Sequence, residues 1–127
     1  MLERYSRQEI IDIWSETSIY QYWLDIELAV CQAYRQLGKI PEASLELIRN
    51  KASFSVHRIK ELEQETHHDI LAFLTCVAES IGTDDSRFIH LGLTSSDVKD
   101  TALSLQIKDT SAHIERGLND LMIALRS

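Results

Sequence analysis

The chain has 127 residues, 44% apolar and 26% charged, which is the balance of a soluble globular chain with one domain-sized core. With only 1 Pro and 4 Gly, it is unsuited to a turn-rich sandwich or a flexible linker. The net charge of −7 argues against a nucleic-acid partner, and no apolar run approaches the roughly 20 residues that a membrane span needs.

The N-terminal segment and the two cysteines bear on the compartment. The first ten residues, MLERYSRQEI, are charged from the third position and lack the apolar core of a secretory signal. Cys31 and Cys76 lie in the apolar stretches LAVCQAY and FLTCVAE, without the spacing of metal ligands. We therefore expect two reduced thiols in the core of a cytoplasmic protein.

Apolar residues recur at helical spacing along most of the chain. The first long helix is predicted from about Ser18 to Leu37, and Gly38 is suited to end it. Pro41 then opens a second helix, which is expected to end near Ala52 with Leu45 and Ile48 on its buried side and Leu47 at the margin. The apolar stripe of the first helix consists of Ile19, Trp23, Ile26, Ala29, Val30, Ala33 and Leu37.

Two further helices precede a loop. A short, charged helix is predicted from Val56 to Glu65, capped by Ser53 or Ser55. The next helix, from His68 to Ile81, has a broad apolar face and is expected to be central, and a mostly polar loop follows from Thr83 to His90. The apolar face comprises Ile70, Leu71, Phe73, Leu74, Val77 and Ile81.

The last helical pattern runs unbroken from the capping residues around Thr94 to the end of the sequence. Gly117 interrupts it at a cost of only about 1 kcal/mol. A helix of about 30 residues is about 45 Å long, which exceeds the needs of a compact domain of this size. We therefore expect its apolar face to pair with another chain, or the chain to be cut within this helix. No strand is predicted, so the fold class is all-α.

One cluster that could carry chemistry is His67-His68-Asp69. A carboxylate beside an imidazole can orient its tautomer and suits general acid or base work. The simpler interpretation is a helix N-terminus with two solvated imidazoles and Asp69 opposing the helix dipole. A metal site is weaker still, because position 72, four residues after His68, is Ala. We predict no metal.

Two other clusters suit anions. Thr94-Ser95-Ser96-Asp97 offers hydroxyls and free N–H groups at a helix start, although the same composition is typical of an ordinary N-cap, and Asp97 would compete with an anion. Arg4 and Tyr5 could clasp a phosphate, although a terminal arginine is more often simply solvated.

Four segments carry a resemblance to known proteins. They are Glu3-Arg4-Tyr5-Ser6 with Ile13-Trp14, Trp23-Leu24-Asp25-Ile26-Glu27 with Ala29, Glu65-Thr66-His67-His68-Asp69-Ile70-Leu71-Ala72-Phe73, and His90-Leu91-Gly92-Leu93-Thr94-Ser95-Ser96-Asp97 with Asp100-Thr101-Ala102. In this order they resemble the adenylosuccinate lyase family of the fumarase/aspartase superfamily, over nearly the whole chain.

The resemblance implies a helical fold and a β-elimination. The family cleaves adenylosuccinate to AMP and fumarate, and a succinyl-carboxamide ribotide (SAICAR) to AICAR and fumarate, in purine biosynthesis. A base removes a proton next to a carboxylate, an acid protonates the departing nitrogen, and no metal or organic cofactor is required. The implied partners are this small-molecule substrate and other copies of the chain in a homotetramer, with neither nucleic acid nor membrane.

The same resemblance implies residue roles. His68 matches the active-site histidine, discussed as the general acid, and Asp69 would bind substrate or orient its neighbours. His67 stands where members often have Arg and is a weaker substrate contact; the Asp that follows favours His68 as the acting histidine. The substrate-binding set is completed by Arg4 and Tyr5 for the nucleotide, His90 on the phosphate side, and Thr94 and Ser95 for the succinyl carboxylate. Lys99 falls at a variable position and carries no expectation.

Family members continue well beyond this length, with a second histidine and a mobile Ser-containing loop that supplies the base. We therefore expect a truncated chain, with an N-terminal helical domain at residues 1–93 and the start of the central bundle at 94–127, inactive alone. Two alternatives remain: a stand-alone helical interaction module, whose long last helix binds a partner, and another superfamily enzyme such as an argininosuccinate lyase.

Overall fold

The computed structural model describes residues 5–82 and 84–126. Among these residues there is no strand, so the all-α prediction is confirmed. A short 3₁₀ helix at Asp84–Phe88 lies within the segment that was expected to be a loop. The α-helices are α1 (Gln8–Ile13), α2 (Glu16–Gln36), α3 (Glu42–Lys51), α4 (Val56–Thr66), α5 (Asp69–Ile81) and α6 (Ser95–Arg126).

Local capping explains where the helices begin and end. The side chain of Ser15 accepts a hydrogen bond from Ser18 N–H at the start of α2, and Ser55 accepts one from Arg58 N–H at the start of α4. Gly82 ends α5 in the left-handed conformation at φ 66°. Pro41 is the N-cap of α3 rather than its first residue. α1 was not predicted from the sequence, because six residues show too little periodicity.

An aromatic cluster joins α2 and α5 at the centre of the core. The rings of Tyr20 and Phe73 are stacked with centroids 6.0 Å apart, and Trp23 meets Phe73 edge-on at 5.4 Å. Phe73, Val77 and Ile81 are completely buried, which confirms that α5 is central. One member of its predicted face, Leu71, is instead 49% exposed.

The buried face of α2 differs from the predicted stripe. Of that stripe only Trp23 is buried, and the face toward the core consists of Tyr20, Trp23, Leu24, Glu27 and Cys31. The helix has apolar residues on two sides, and the side that is buried contains the charged residue Glu27. A hydropathy pattern therefore ranks the buried side below the exposed one. The middle of the predicted stripe lines an open groove of about 520 Å³ between α2 and α6, formed in part by Ile26, Ala29, Val30, Ala33, Leu93 and Leu105.

The long helix α6 is unbroken, as predicted, and its buried residues, Val98, Ala102 and Gln106, lie in its first half. Trp14 Nε1–H donates to Thr110 Oγ1 at 2.9 Å, and Gln106 Nε2–H donates to Ile13 O at 3.0 Å. Tyr22 donates its hydroxyl to Asp109 at 2.5 Å, and this bond raises the pKa of Tyr22 to about 12. Farther along, a row of large apolar side chains is exposed: Ile114, Leu118, Leu121, Met122 and Leu125.

Both cysteines are buried and free, as expected for core thiols. Burial raises the pKa of Cys31 to about 11, and its thiol lies 3.5 Å from Phe88 O. Within the described ranges, no helix has the length and apolar character required to cross a bilayer.

Candidate active site

The two adjacent histidines terminate two different helices. His67 is the C-cap of α4, in a left-handed conformation at φ 51°, whereas His68 is the N-cap of α5 with extended backbone. Both side chains are exposed. Thr66 Oγ1 lies within hydrogen-bond distance of both the N–H and the carbonyl of His68, which tightens this corner. The two imidazoles therefore do not share a helix face, and α5 begins one residue later than predicted.

The cap gives His68 a defined tautomer. Its Nδ1 accepts a hydrogen bond from the Leu71 N–H at 3.4 Å, so this nitrogen carries no proton while the cap is formed. The neutral ring then bears its proton on Nε2, the nitrogen that faces away from the helix end. The main chain, rather than Asp69, orients this imidazole, because Asp69 Oδ1 is 3.7 Å from Nδ1.

Asp69 is turned instead toward Lys99 of α6. Its carboxylate accepts hydrogen bonds from Lys99 Nζ at 2.6–2.7 Å and from the Ile70 N–H at 2.7 Å. Partial burial alone would raise the pKa of Asp69, but the bonds from Lys99 and Ile70 outweigh it and hold that pKa below its usual value. Lys99 Nζ also lies 5.9 Å from the centre of the Trp23 ring. This ion pair attaches the start of α5 to the second turn of α6.

Thr94 and Asp97 form a closed cap at the start of α6. The N–H and the hydroxyl of Thr94 both donate to Asp97 Oδ2, at 2.7 and 2.9 Å. These two bonds hold the pKa of the Asp97 carboxyl below its usual range, and nearby His90 lowers it further. Ser95 is half-buried in the first turn. Asp97 thus occupies the donors of Thr94 that an anion would use, as the sequence suggested.

His90 is paired with a buried carboxylate on α2. Its Nδ1 lies 2.6 Å from Glu27 Oε1, and its backbone N–H donates to Glu27 Oε2 at 2.7 Å. The Glu27 side chain is 1% exposed and that of His90 is 21% exposed. His90 has a left-handed backbone at φ 63°, which is uncommon outside glycine.

The predicted site residues fall into two separated groups. One group gathers around the starts of α5 and α6, where Asp69 binds Lys99 and His90 lies near Asp97. Tyr5 belongs elsewhere: it is 74% exposed and lies two residues before Arg7, the N-cap of α1, which lies against Gly117. Gly117 is 22 residues beyond Ser95, or about 33 Å along α6. Arg4 lies outside the described residues.

Two residues of this region, Glu27 and Lys99, were not predicted from the sequence to be part of the site. Glu27 lies within the segment Trp23-Leu24-Asp25-Ile26-Glu27, but no role was expected for it or for Lys99. Each contacts a residue 63 or 30 positions away, so no local spacing reveals it. An acidic residue within an otherwise apolar helix face was the one available signal for Glu27. Within residues 5–82 and 84–126, no group of three His, Cys, Asp or Glu side chains is arranged to hold a metal ion.

Known proteins provide the comparison. The chain is 49% identical over 126 residues to an adenylosuccinate lyase from Synechocystis, covering 99% of this chain and 29% of that protein. In structure it resembles a fumarate lyase from Mesorhizobium sp. BNC1 with a TM-score of 0.78, at 24% identity, over 88% of this chain and 27% of that one. The chain therefore spans less than a third of the length of either relative.

The structural likeness, at this low identity, supports the helical fold alone. The family assignment rests on sequence: a protein-family model described as "Lyase" matches residues 3–127, which is nearly the whole chain. On this extent of match, the chain belongs to the lyase family.

Proposed function

We propose that this chain supplies part of the active site of an adenylosuccinate lyase. That enzyme would cleave adenylosuccinate to AMP and fumarate, and SAICAR to AICAR and fumarate, by β-elimination. The similarity to the Synechocystis enzyme over 126 residues supports this choice over an argininosuccinate lyase. We also propose that the enzyme is cytoplasmic, that residues 1–93 form its N-terminal helical domain, and that residues 94–127 begin its central helical bundle.

The observation that carries the proposal is the hydrogen bond that fixes the His68 tautomer. A β-elimination removes a proton from carbon beside a carboxylate, and the released electron pair forms the double bond as the C–N bond breaks. The departing nitrogen must gain a proton. With Nδ1 accepting the Leu71 N–H, the ring directs Nε2–H away from the helix end. A neutral imidazole is too weak an acid to give up this proton, so the acting form would be the imidazolium. Its Nδ1 takes up a proton and releases the Leu71 N–H, and its Nε2 then passes a proton to the departing nitrogen, which leaves a neutral ring.

Carboxylate recognition would fall to the start of α6. The first-turn N–H groups and the Ser95 hydroxyl are suited to an anion, and Lys99 adds a cation one turn later. A bound succinyl carboxylate would compete with Asp97 for the donors of Thr94. We therefore propose that Asp97 releases Thr94 when substrate binds.

The separation of Tyr5 from His68 bears on assembly. Because Tyr5 and the starts of α5 and α6 lie at opposite parts of one chain, a site that uses both would draw them from different copies. We therefore propose a homo-oligomer with shared sites, a homotetramer as in the family that the sequence resembles, and a base that comes from outside these 127 residues. The 127-residue chain alone is expected to release no fumarate from adenylosuccinate, and measurable release would contradict this expectation.

A chimeric enzyme tests the function directly. Residues 1–127 would replace the matching segment of the Synechocystis protein, and fumarate release from adenylosuccinate would be followed by absorbance. We expect an active chimera, and we expect His68→Ala to lower its kcat by at least about 100-fold, the usual contribution of a general acid.

The matched control is His57→Ala. This histidine is also at a helix start but is 85% exposed, and among the described residues its ion-pair partner is Glu61 on its own helix. Its removal should leave kcat within about twofold, since surface substitutions rarely perturb a protein. A folded chimera that is inactive, or one that is indifferent to His68→Ala, would refute the proposal.

A further inference from the structure

Glu27 is a charged residue that is completely buried in the described chain. It lies at the middle of α2, on the same helix face as Tyr20, Trp23, Leu24 and Cys31. A carboxylate is seldom buried without a partner, because removing the charge from water costs several kcal/mol. Both of its oxygens are bound by one residue, His90.

The geometry determines where the His90 proton lies. An ionised carboxylate only accepts hydrogen bonds, so a nitrogen 2.6 Å from Glu27 Oε1 must carry a proton. Nδ1 is therefore protonated, and Nε2 is the one ring nitrogen left for a ligand. This arrangement is opposite to that of His68, whose Nδ1 accepts a hydrogen bond from the main chain.

The second hydrogen bond fixes the main chain at the same point. Glu27 Oε2 accepts the N–H of His90, which holds this residue in its left-handed conformation at φ 63°. The left-handed conformation is sterically unfavourable for an L-residue with a Cβ, so a hydrogen bond from the surrounding structure is needed to stabilise it. One carboxylate thus sets both the backbone and the ring of His90.

We propose that Glu27 is a positioning residue: its buried carboxylate holds a proton on His90 Nδ1 and presents Nε2 to the phosphate side of the substrate. The substrate part of this inference rests on the proposed function, but the proton placement does not. When the ring gains a second proton, Nε2–H becomes a donor suited to a phosphate oxygen.

The isosteric variant Glu27→Gln makes the proposal testable. An amide has one accepting oxygen and one donating NH₂ group. If its oxygen accepts the His90 N–H, the NH₂ faces Nδ1 and requires that nitrogen to be bare. The His90 proton then moves to Nε2, so the substitution reverses the tautomer without changing the shape of the side chain.

Nitrogen-15 NMR of the histidine rings in the 127-residue chain reports this directly. In the wild type, His90 should show a protonated Nδ1, whereas Glu27→Gln should show the Nε2–H form. Asp25→Asn, the same chemical change two residues away at an exposed position, should leave His90 unchanged. The exposed ring of His57 serves as the internal standard in every spectrum.

The wild-type spectrum alone can overturn the proposal. A bare Nδ1 on His90 would mean that Glu27 is itself protonated and donates to the ring, and the carboxylate would then position nothing. An unchanged tautomer in a folded Glu27→Gln chain would be equally decisive. If that variant does not fold, the wild-type assignment still decides the question.

The active chimera supplies a second readout. Glu27→Gln should raise KM for adenylosuccinate by about 10-fold or more, the usual effect of losing a charged hydrogen bond to a ligand, with kcat within about threefold. A fall in kcat with unchanged KM would contradict a role in phosphate binding. An inactive chimera would count against the proposed function, while the NMR result would stand independently.

Discussion

At the scale of single residues, two polar groups of the candidate site are held by partners distant in sequence. Asp69 is held by Lys99, and His90 by Glu27. His68 and Thr94 are held locally instead, His68 by the third N–H of its own helix and Thr94 by Asp97. The chain thus presents two imidazoles with opposite proton positions, each in an orientation suited to a separate task.

The Asp69–Lys99 pair makes stability depend on pH. Asp69 has a folded-state pKa below its unfolded value of about 3.8, so its contribution to stability is fully present above that value and is lost as the pH falls through the folded pKa. Because both side chains are partly exposed, solvent limits the contribution to about 1 kcal/mol or less.

Lys99→Met should therefore lower the free energy of unfolding at pH 6.5 and have a smaller effect at pH 3. Urea unfolding at both pH values measures this difference. Lys108→Met, at an exposed position of the same helix, is the control and should show no such dependence. An equal effect of Lys99→Met at both pH values would contradict the ion-pair interpretation.

At the scale of elements, helix ends were more predictable than buried faces. Gly82 and Ser55 act through the residues beside them, so the ends of α4 and α5 follow from short motifs. The buried side of α2 depends on what surrounds it, and Glu27 is stable there only because the turn at His90 supplies two donors. The positions of His68, Asp69 and Thr94 at helix starts could be predicted, and Asp97 as the competitor for the Thr94 donors followed from the same short motif. The partner of Asp69, which is Lys99, could not be predicted, because it lies 30 residues away.

Two glycine substitutions should shift stability in opposite directions. Gly117 is within α6, where alanine is better by about 1 kcal/mol, and a new Cβ would lie 3.4 Å from the flexible end of Arg7. Gly82 has φ 66°, where a Cβ costs about 1 kcal/mol or more. We expect Gly117→Ala to raise the midpoint of thermal unfolding and Gly82→Ala to lower it, as followed by circular dichroism; shifts of the same sign would contradict this.

At the scale of the whole molecule, the apolar side chains of the core are buried, whereas those of the second half of α6 are exposed. The apolar row from Ile114 to Leu125 recurs at helical spacing and is about half exposed or more. Each Å² of such surface removed from water contributes about 25 cal/mol, so pairing of these helices is favourable. This exposed row also favours an interaction role.

Self-association should depend on that row. We expect the chain to sediment as a dimer or larger species at high concentration, and the double variant Leu118→Glu/Leu121→Glu to shift it toward monomer, since buried carboxylates oppose pairing. Leu37→Glu, at an isolated exposed leucine beyond α2, should leave association unchanged. A wild-type chain that stays monomeric at every concentration would contradict the expectation.

The end of α6 projects beyond its packing against the rest of the described chain. Arg7, the N-cap of α1, lies against Gly117, and from Gly117 to Arg126 the helix extends about 14 Å. A tilt of about 5° at Gly117 moves Arg126 by about 1 Å, so a contact that fixes the C-terminal end also fixes the direction of the helix axis. Because Lys99 and the cap at Thr94 belong to the same helix, such a contact would also restrain the polar cluster at its other end.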